Sequence, residues 1–200
     1  MMLSEQDAIV DYAQDVSVRV IAAPELVQVL NDLTERLVET VNDGSPLGFM
    51  TPIDSDMARD YWISMLPDLR SGKRVLLVAM SEGIVLGSAQ LVPSHRANSP
   101  HRAEIEKVFV NRAVRKMGVG SALMKAIESL ALHYGRTLLL LNTRQDQPAH
   151  NWYRSLGYSD AGVVPGWTIG PNGEQYDHVT MYKHLDSSTA EGEVRSRRHV

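Results

Sequence analysis

Apolar residues recur at two different periods along the chain, and the change of period separates helices from strands. After Pro24, apolar residues return about every three or four positions, which is the period of an amphipathic helix. The apolar face of this predicted helix consists of Leu26, Leu30, Leu33, Leu37 and Val41. Asp54 is a good N-cap and begins a second predicted helix. Its apolar side consists of Met57, Tyr61, Met65 and Leu69.

Further along, the pattern takes the period of a β-strand. The runs 73–80, 83–92 and 102–110 are joined by short polar segments, so we expect them to pair as an antiparallel meander. A helix is predicted from Gly118 to Tyr134. The apolar run RTLLLLNT after it is typical of a strand that is buried on both faces. A short helix and a terminal hairpin complete the order, which predicts a mixed α/β fold.

Size and composition limit the classes of protein that the chain can represent. Its 200 residues suffice for one domain with a sizeable core. The net charge of -4 disfavours a nucleic-acid-binding protein. The chain has no cysteine, which excludes thiolate metal sites and a cysteine nucleophile. Because the sequence shows neither a signal peptide nor an apolar run of about 20 residues, we predict a cytoplasmic protein without membrane partners.

The end of the chain differs in composition from the rest. From Asp186 onward the sequence DSSTAEGEVRSRRHV is polar and has no apolar period. We therefore predict one domain over residues 1–185 and a disordered C-terminal tail over residues 186–200.

The seven histidines of the chain do not have the spacing of metal ligands. We expect His95, His101 and His150 to lie at the surface. The sequence therefore predicts no metal cofactor.

A glycine-containing loop, RKMGVG, lies between the strand that ends at Val110 and the helix that follows. Such a loop presents backbone N–H groups at the positive end of a helix dipole. Gly118 and Gly120 leave space for an anion, and Arg115 and Lys116 add full positive charges. The loop is a candidate pyrophosphate site, and a tight turn before a helix is the alternative.

Two familiar nucleotide-binding loops do not fit this pattern. A dinucleotide-binding loop has the form G-x-G-x-x-G in a parallel sheet, but here Leu123 stands at the third glycine position. A P-loop has the form G-x-x-x-x-G-K-[ST], which is absent from the sequence. The pattern that remains is R-x-x-G-x-G after a strand.

This pattern resembles the coenzyme A pyrophosphate loop of the GNAT superfamily of N-acetyltransferases. The superfamily also has an apolar triplet before the loop, here VFV, and a later short helix with Ala149, Tyr153 and a Gly157-Tyr158 end. The segments RAEIEKVFV, PGW, PNG, MYKHL and LGFM are similar to the tabtoxin-resistance type of acetyltransferase. The similarity extends over most of residues 30–185.

The resemblance implies a GNAT fold, with a mixed, mostly antiparallel central sheet of about six or seven strands and about four flanking helices. The fourth and fifth strands would splay apart, and the gap would admit the pantetheine of acetyl-CoA. The implied reaction moves the acetyl group of acetyl-CoA to the primary amine of a small molecule, of the amino-acid-like antibiotic or toxin class. A peptide N-terminus, a polyamine or an aminoglycoside is an alternative acceptor. A non-catalytic acyl-CoA sensor is the alternative from another functional class. The resemblance also allows a homodimer.

The resemblance also assigns residues that contact the cofactor. They are Val108, Phe109, Val110, Arg115, Lys116, Met117, Gly118, Val119, Gly120, Ser121, Asp146 and Ala149. Asp146 stands where the family often has asparagine, so this contact differs from the usual one.

Three residues are candidates for the chemistry. Glu104 is the candidate base, and strand alternation turns Glu106 to the same face. A second carboxylate in an apolar cleft makes the first a better base. The resemblance places the Tyr153 phenol near the coenzyme A sulfur, as the candidate acid. Asn142 replaces an aspartate of the tabtoxin-resistance type, and its amide can hydrogen-bond an amine but cannot take its proton.

Overall fold

The computed structural model describes residues 16–186, so the predicted C-terminal tail lies outside the described residues except for Asp186. Within this part of the chain the strands are β1 (Ser17–Ile21), β2 (Val75–Ser81), β3 (Ile84–Pro93), β4 (Arg102–Val110), β5 (Leu138–Arg144), β6 (Ser159–Ile169) and β7 (Gln175–His184). The α-helices are α1 (Leu26–Asn42), α2 (Ser55–Ser64), α3 (Leu66–Ser71), α4 (Val119–His133) and α5 (Pro148–Ser155).

The seven described strands form one mixed sheet in the order β1-β2-β3-β4-β5-β7-β6. The predicted meander is confirmed, because β2, β3 and β4 pair antiparallel. β5 pairs parallel to β4, which needs a crossover connection, and α4 supplies it. The predicted terminal hairpin is also confirmed, and β7 lies between β5 and β6.

β4 and β5 pair only at their beginnings. The ladder runs from the Arg102–Leu138 pair to the Glu104–Leu140 pair and then stops. A register shift between β3 and β4 follows, and there Lys107 has a φ of 50°. The second half of β4 therefore diverges from β5, which confirms the predicted splay and opens a gap in the sheet.

Helices cover both faces of the sheet. The predicted apolar stripe of α1 is confirmed, since Leu26, Leu30, Leu33, Leu37 and Val41 are all buried. They pack with Leu76, Val78 and Phe109 on one face of the sheet. On the other face, the buried stripe of α4 packs against β2, β3 and β4. We call the face of the sheet that α1 covers the α1 face.

The predicted apolar side of the second helix was correct for Met65, which is buried, and for Tyr61 and Leu69, which pack against the core, but wrong for Met57. Asp54 does cap α2, with its side chain accepting the Met57 N–H at 2.8 Å, but Met57 itself is 48% exposed. The buried residues are Ala58 and Trp62, both fully enclosed. Apolar residues occupy both sides of this helix, so periodicity alone could not decide which side packs. Burial of the large Trp62 ring against the core decided it.

The prediction that β5 is buried on both faces was also wrong. Leu139 and Leu141 are buried, but Leu138 and Leu140 are only half-buried. The reason is that the helices on the α1 face lie over β3 and β4 and leave β5 uncovered.

Candidate functional site

The first turn of α4 presents unpaired backbone donors. Gly118 is its N-cap, with a φ of 86°, and no side chain caps the helix. The N–H groups of Val119, Gly120 and Ser121 therefore have no intrahelical acceptor. A Cβ built at Gly118 would meet no atom within 4 Å, so the space in front of the helix is open. This end of α4 can hold an anion.

Gly120 has a different role in the same turn. A Cβ at this position would lie 3.0 Å from the ring of Trp152, which is closer than a methyl group tolerates. Trp152 belongs to α5 and is half-buried against the core. Glycine at position 120 therefore lets α5, which also carries Ala149 and Tyr153, pack on the first turn of α4.

Arg115 lies in the glycine loop and forms hydrogen bonds with other parts of the protein. Its Nε donates to the Val110 carbonyl oxygen at 3.3 Å, and its Nη1 lies 3.4 Å from the Asp43 carboxylate. Arg112 binds the same carboxylate at 2.5 Å. Asp43, at the end of α1, thus fixes the loop. The sequence gives no signal for Asp43, because it is distant along the chain. Lys116 and Met117 extend into solvent.

The second half of β4 has free backbone groups along the gap. The Asn111 N–H donates to the Leu86 carbonyl of β3 at 2.7 Å. Because successive N–H groups of a strand point to opposite edges, those of Val108 and Val110 point away from β3 and toward the gap. The ladder to β5 ends before these residues. An extended molecule in the gap could therefore pair with this edge.

Glu104 lies at the last rung before the gap, opposite Leu140. Its side chain is 47% exposed and lies 4.0 Å from Arg102. Glu106 shares its face of the strand, as alternation predicts, because Ala103 and Ile105 point into the opposite core.

Glu106 is not a bare carboxylate beside Glu104. Arg74 binds it at 2.7 Å, so its charge is compensated. The structure therefore does not place a free carboxylate at Glu106 beside Glu104. If Glu104 acts as a base, its position at the mouth of the gap is what qualifies it.

Asn142 lies on β5, two residues beyond the last rung between β4 and β5. Leu140 is the rung partner of Glu104, and Asn142, two residues further along β5, points to the same face. The structure thus brings these two candidate residues together. The Asn142 Oδ1 accepts a hydrogen bond from the Thr180 hydroxyl at 2.7 Å, which leaves its amide N–H groups facing solvent. The side chain is therefore better placed to donate a hydrogen bond than to accept one from an amine.

Tyr153 is 7% exposed and lies in the core on the α4 side. Its ring contacts Trp152 and Tyr158, with centroids at 4.9 and 5.9 Å. Burial raises the pKa of Tyr153 above its ordinary value, so the phenol stays protonated at neutral pH. Among residues 16–186, none forms a hydrogen bond with this hydroxyl.

The prediction that His150 lies at the surface was wrong. His150 is 2% exposed; its Nδ1 accepts the Asp146 N–H at 3.3 Å, and its Nε2 lies 3.0 Å from the Asp160 carboxylate. Hydrogen bonds from Arg154 and His150 lower the pKa of Asp160. His150 thereby fixes Asp146, whose φ is 56°, in the loop that begins α5. Asp160 lies on the next strand, β6, so no local sequence motif predicts this contact.

Neither a metal cluster nor a membrane helix occurs in residues 16–186. No group of three or more histidine, aspartate or glutamate residues there could hold a metal ion. No helix in that stretch is long and apolar enough to cross a membrane.

Two features characterise the site. One is the parallel pair of strands, β4 and β5, that splay apart, and the other is the uncapped helix α4 that follows the glycine loop. The model of the acetyltransferase (GNAT) family matches residues 34–158, which contain both features. The chain belongs to this family. A GNAT acetyltransferase of this kind moves an acetyl group from acetyl-CoA to an amine, so the protein is an acetyl-CoA-dependent N-acetyltransferase.

Known proteins similar to this GNAT chain agree with the assignment. An uncharacterized N-acetyltransferase of Azospirillum brasilense, from the region between hisH and hisA, is 30% identical over 157 residues, covering 67% of this chain and 90% of that protein. The ribosomal-protein-alanine N-acetyltransferase of Brucella melitensis has the same fold, with a TM-score of 0.69 and 23% identity over 84% of this chain and 99% of that one. A candidate acetyltransferase of Salmonella typhimurium, solved with acetyl-CoA, has a TM-score of 0.67 and 18% identity over 86% of this chain and 94% of that one.

The site of this GNAT acetyltransferase fits coenzyme A on its own geometry. The open space at Gly118 and the uncapped first turn of α4 suit a pyrophosphate. The unpaired edge of β4 at Val108 and Val110 suits the amide groups of a pantetheine. The individual cofactor contacts assigned from the sequence stay predictions.

Proposed function

We propose that the protein acetylates the primary amine of a small, amino-acid-like molecule, of the antibiotic or toxin class on which the tabtoxin-resistance type acts. The observation that carries the proposal is the gap after the Glu104–Leu140 rung, because Glu104 and Asn142 lie beside it on the same face of the sheet. The loop that contains the segment LGFM, residues 47–50, lies on the same face. It is called the LGFM loop below. The cytoplasmic address and a homodimer remain predictions.

The LGFM loop favours a small acceptor. Its start and end are held together by Asn42, whose side chain exchanges two hydrogen bonds with the Ile53 backbone at 2.9 and 3.0 Å. Within the loop, Leu47 and Phe49 are half-buried against the core of the α1 face. A loop fixed in this way narrows the approach to the gap, which suits a small molecule more than a protein surface.

The side chains around the gap divide the chemistry between them. Acetyl-CoA supplies the acetyl thioester. Glu104 accepts the proton of the acceptor amine, and the N–H of Val108 or Val110 donates to the thioester carbonyl oxygen. The Tyr153 hydroxyl donates its hydrogen to the departing sulfur. Asn142 orients the acceptor through its amide N–H groups.

A peptide N-terminus is the second candidate acceptor. The Brucella melitensis protein of similar fold is named for the alanine of a ribosomal protein. The two acceptor classes differ in size, so they can be separated by assay.

The test is release of the coenzyme A thiol from acetyl-CoA across a panel of amines. The panel contains amino acids and amino-acid-like antibiotics, with peptides, polyamines and aminoglycosides as the other classes. We expect turnover with the first group. Turnover only with peptides would support the second candidate, and acetyl-CoA binding without turnover on any amine would support the non-catalytic sensor.

Replacing Tyr153 with phenylalanine should lower kcat by about 10- to 100-fold and change the KM for acetyl-CoA little. The phenol group would act on the leaving sulfur rather than in binding, and the ring would keep its packing against Trp152. Steady-state kinetics at saturating amine would measure this. Tyr158→Phe, which removes a hydroxyl from the neighbouring ring, is the matched control. An equal loss in both variants would show that the effect comes from packing.

A further inference from the structure

A lysine ammonium lies on the acceptor side of the gap, beside two aromatic rings. Lys107 occupies the register shift of β4, and its Nζ lies 5.6 Å from the centroid of the Phe49 ring and 5.4 Å from that of Tyr61. A Cβ at Gly48 would be 3.4 Å from the same Nζ, so the LGFM loop closes over it. Among the described residues, none forms an ion pair with Lys107.

The neighbouring carboxylate on β4, that of Glu106, already forms an ion pair with another residue. Glu106 binds Arg74 at 2.7 Å, and Arg74 also donates to Gln90, which is fully buried. Gln90 in turn bonds the Tyr61 hydroxyl at 3.0 Å. Arg74 and Lys107 thus bring two positive charges to this cluster, and Glu106 brings one negative charge. One positive charge remains uncompensated.

An uncompensated, half-buried charge is unfavourable unless a ligand balances it. The aromatic faces offset part of the cost by cation–π attraction. Burial lowers the pKa of Lys107 from its ordinary value, and the attraction of the Glu106 carboxylate offsets only part of this effect. An anionic group beside Nζ would stabilise the charged form.

The position of this charge relates it to the reaction. Lys107 directly precedes Val108, whose backbone faces the gap, and the rings around its Nζ come from the LGFM loop and from α2. Glu104 lies on the same side of β4 as these rings. A ligand bound at Nζ would therefore be held on the acceptor side, apart from the helix end that suits pyrophosphate.

We propose that the Lys107 ammonium binds the acid group of the acceptor, so that the acceptor is a molecule carrying both a primary amine and an anionic group. This inference rests on the proposed function and makes it more specific. Polyamines and aminoglycosides, which have no acid group, are then poor acceptors.

The test compares the binding of amino acids with that of their carboxamides. The two members of each pair have nearly the same shape, but the carboxamide lacks the charge. Calorimetry with the protein saturated with coenzyme A measures binding and does not need turnover. We expect the acid member to bind about 10- to 100-fold more tightly, the range of a charge-assisted hydrogen bond.

Lys107→Met should abolish this preference, and Lys107→Arg should preserve much of it. Methionine nearly matches lysine in length and lacks its charge, and both residues bear the same backbone strain at a φ of 50°. Lys73→Met, at an exposed lysine before β2, is the matched control and should keep the preference. Circular dichroism would verify that each variant is folded.

Two results would overturn the inference. One is equal binding of acids and carboxamides to the wild-type protein, and the other is a preference that survives in Lys107→Met. Neither result depends on the panel of amines. If the protein acetylates no amine but binds acids through Lys107, only the proposed function is refuted. A protein that acetylates amino acids but binds acids and carboxamides equally would refute the inference alone.

Discussion

Replacing Glu104 with glutamine is expected to lower kcat by about 100- to 10,000-fold at low pH, the range that general acid–base catalysis contributes. Glutamine keeps the shape of the side chain but cannot take a proton from the acceptor amine. The loss should shrink as the pH rises, because a growing fraction of the amine is then already deprotonated in solution. The pH dependence of kcat for the wild-type and variant proteins would measure this.

Glu106→Gln serves as the comparison for Glu104→Gln, since Glu106 lies two residues further on the same face of β4 but is bound by Arg74. It should retain the pH profile of the wild-type protein, even if its stability falls. A profile that is unchanged in Glu104→Gln would exclude Glu104 as the base. A loss that appears only in Glu106→Gln would transfer the role to that residue.

Gly118→Val is expected to weaken acetyl-CoA binding by at least about 100-fold while the protein stays folded. The φ of 86° at Gly118 is unfavourable for valine, at a cost of about 1–3 kcal/mol. A Cβ there meets no protein atom within 4 Å, so the fold does not clash with the new side chain. The methyl groups would instead occupy the space in front of the first-turn N–H groups, where the pyrophosphate is predicted to bind.

Gly135→Val is a closely matched control for Gly118→Val. Gly135 follows the other end of α4, has a φ of 68°, and also has no atom within 4 Å of a built Cβ. The two variants should therefore lose similar thermal stability, but only Gly118→Val should lose acetyl-CoA binding in calorimetry. Retained binding in Gly118→Val would refute the assignment of this loop to pyrophosphate.

Local periodicity predicted α1 and α4 well, because each has one apolar stripe that can pack in a single way. It failed in part for α2, where Met57 is exposed and the unpredicted Ala58 and Trp62 are buried. The choice depended on which side chain filled the core, and no local pattern contains that information. The same holds for β5, whose exposure on one face depends on where helices from elsewhere in the chain lie.

The candidate site shows the same division. The glycine loop, the VFV triplet and Tyr153 were visible in the sequence, because each depends on residues that are close along the chain. The hydrogen bonds of His150 to Asp146 and Asp160 were not visible, since they join a loop, a helix and a strand. Asp43 at the glycine loop was missed for the same reason.

The sequence by itself determined that a helix with an open N-terminus follows a strand, and its motifs indicated the family. These features follow from backbone conformation and local spacing, which neighbouring residues set. Only the tertiary structure decided that Glu106 is bound by Arg74 while Lys107 has no such partner among residues 16–186, because the two residues are adjacent and both charged. Their difference arises from the parts of the chain that pack against each of them, and burial without a partner is what turns a common lysine into a candidate binding group.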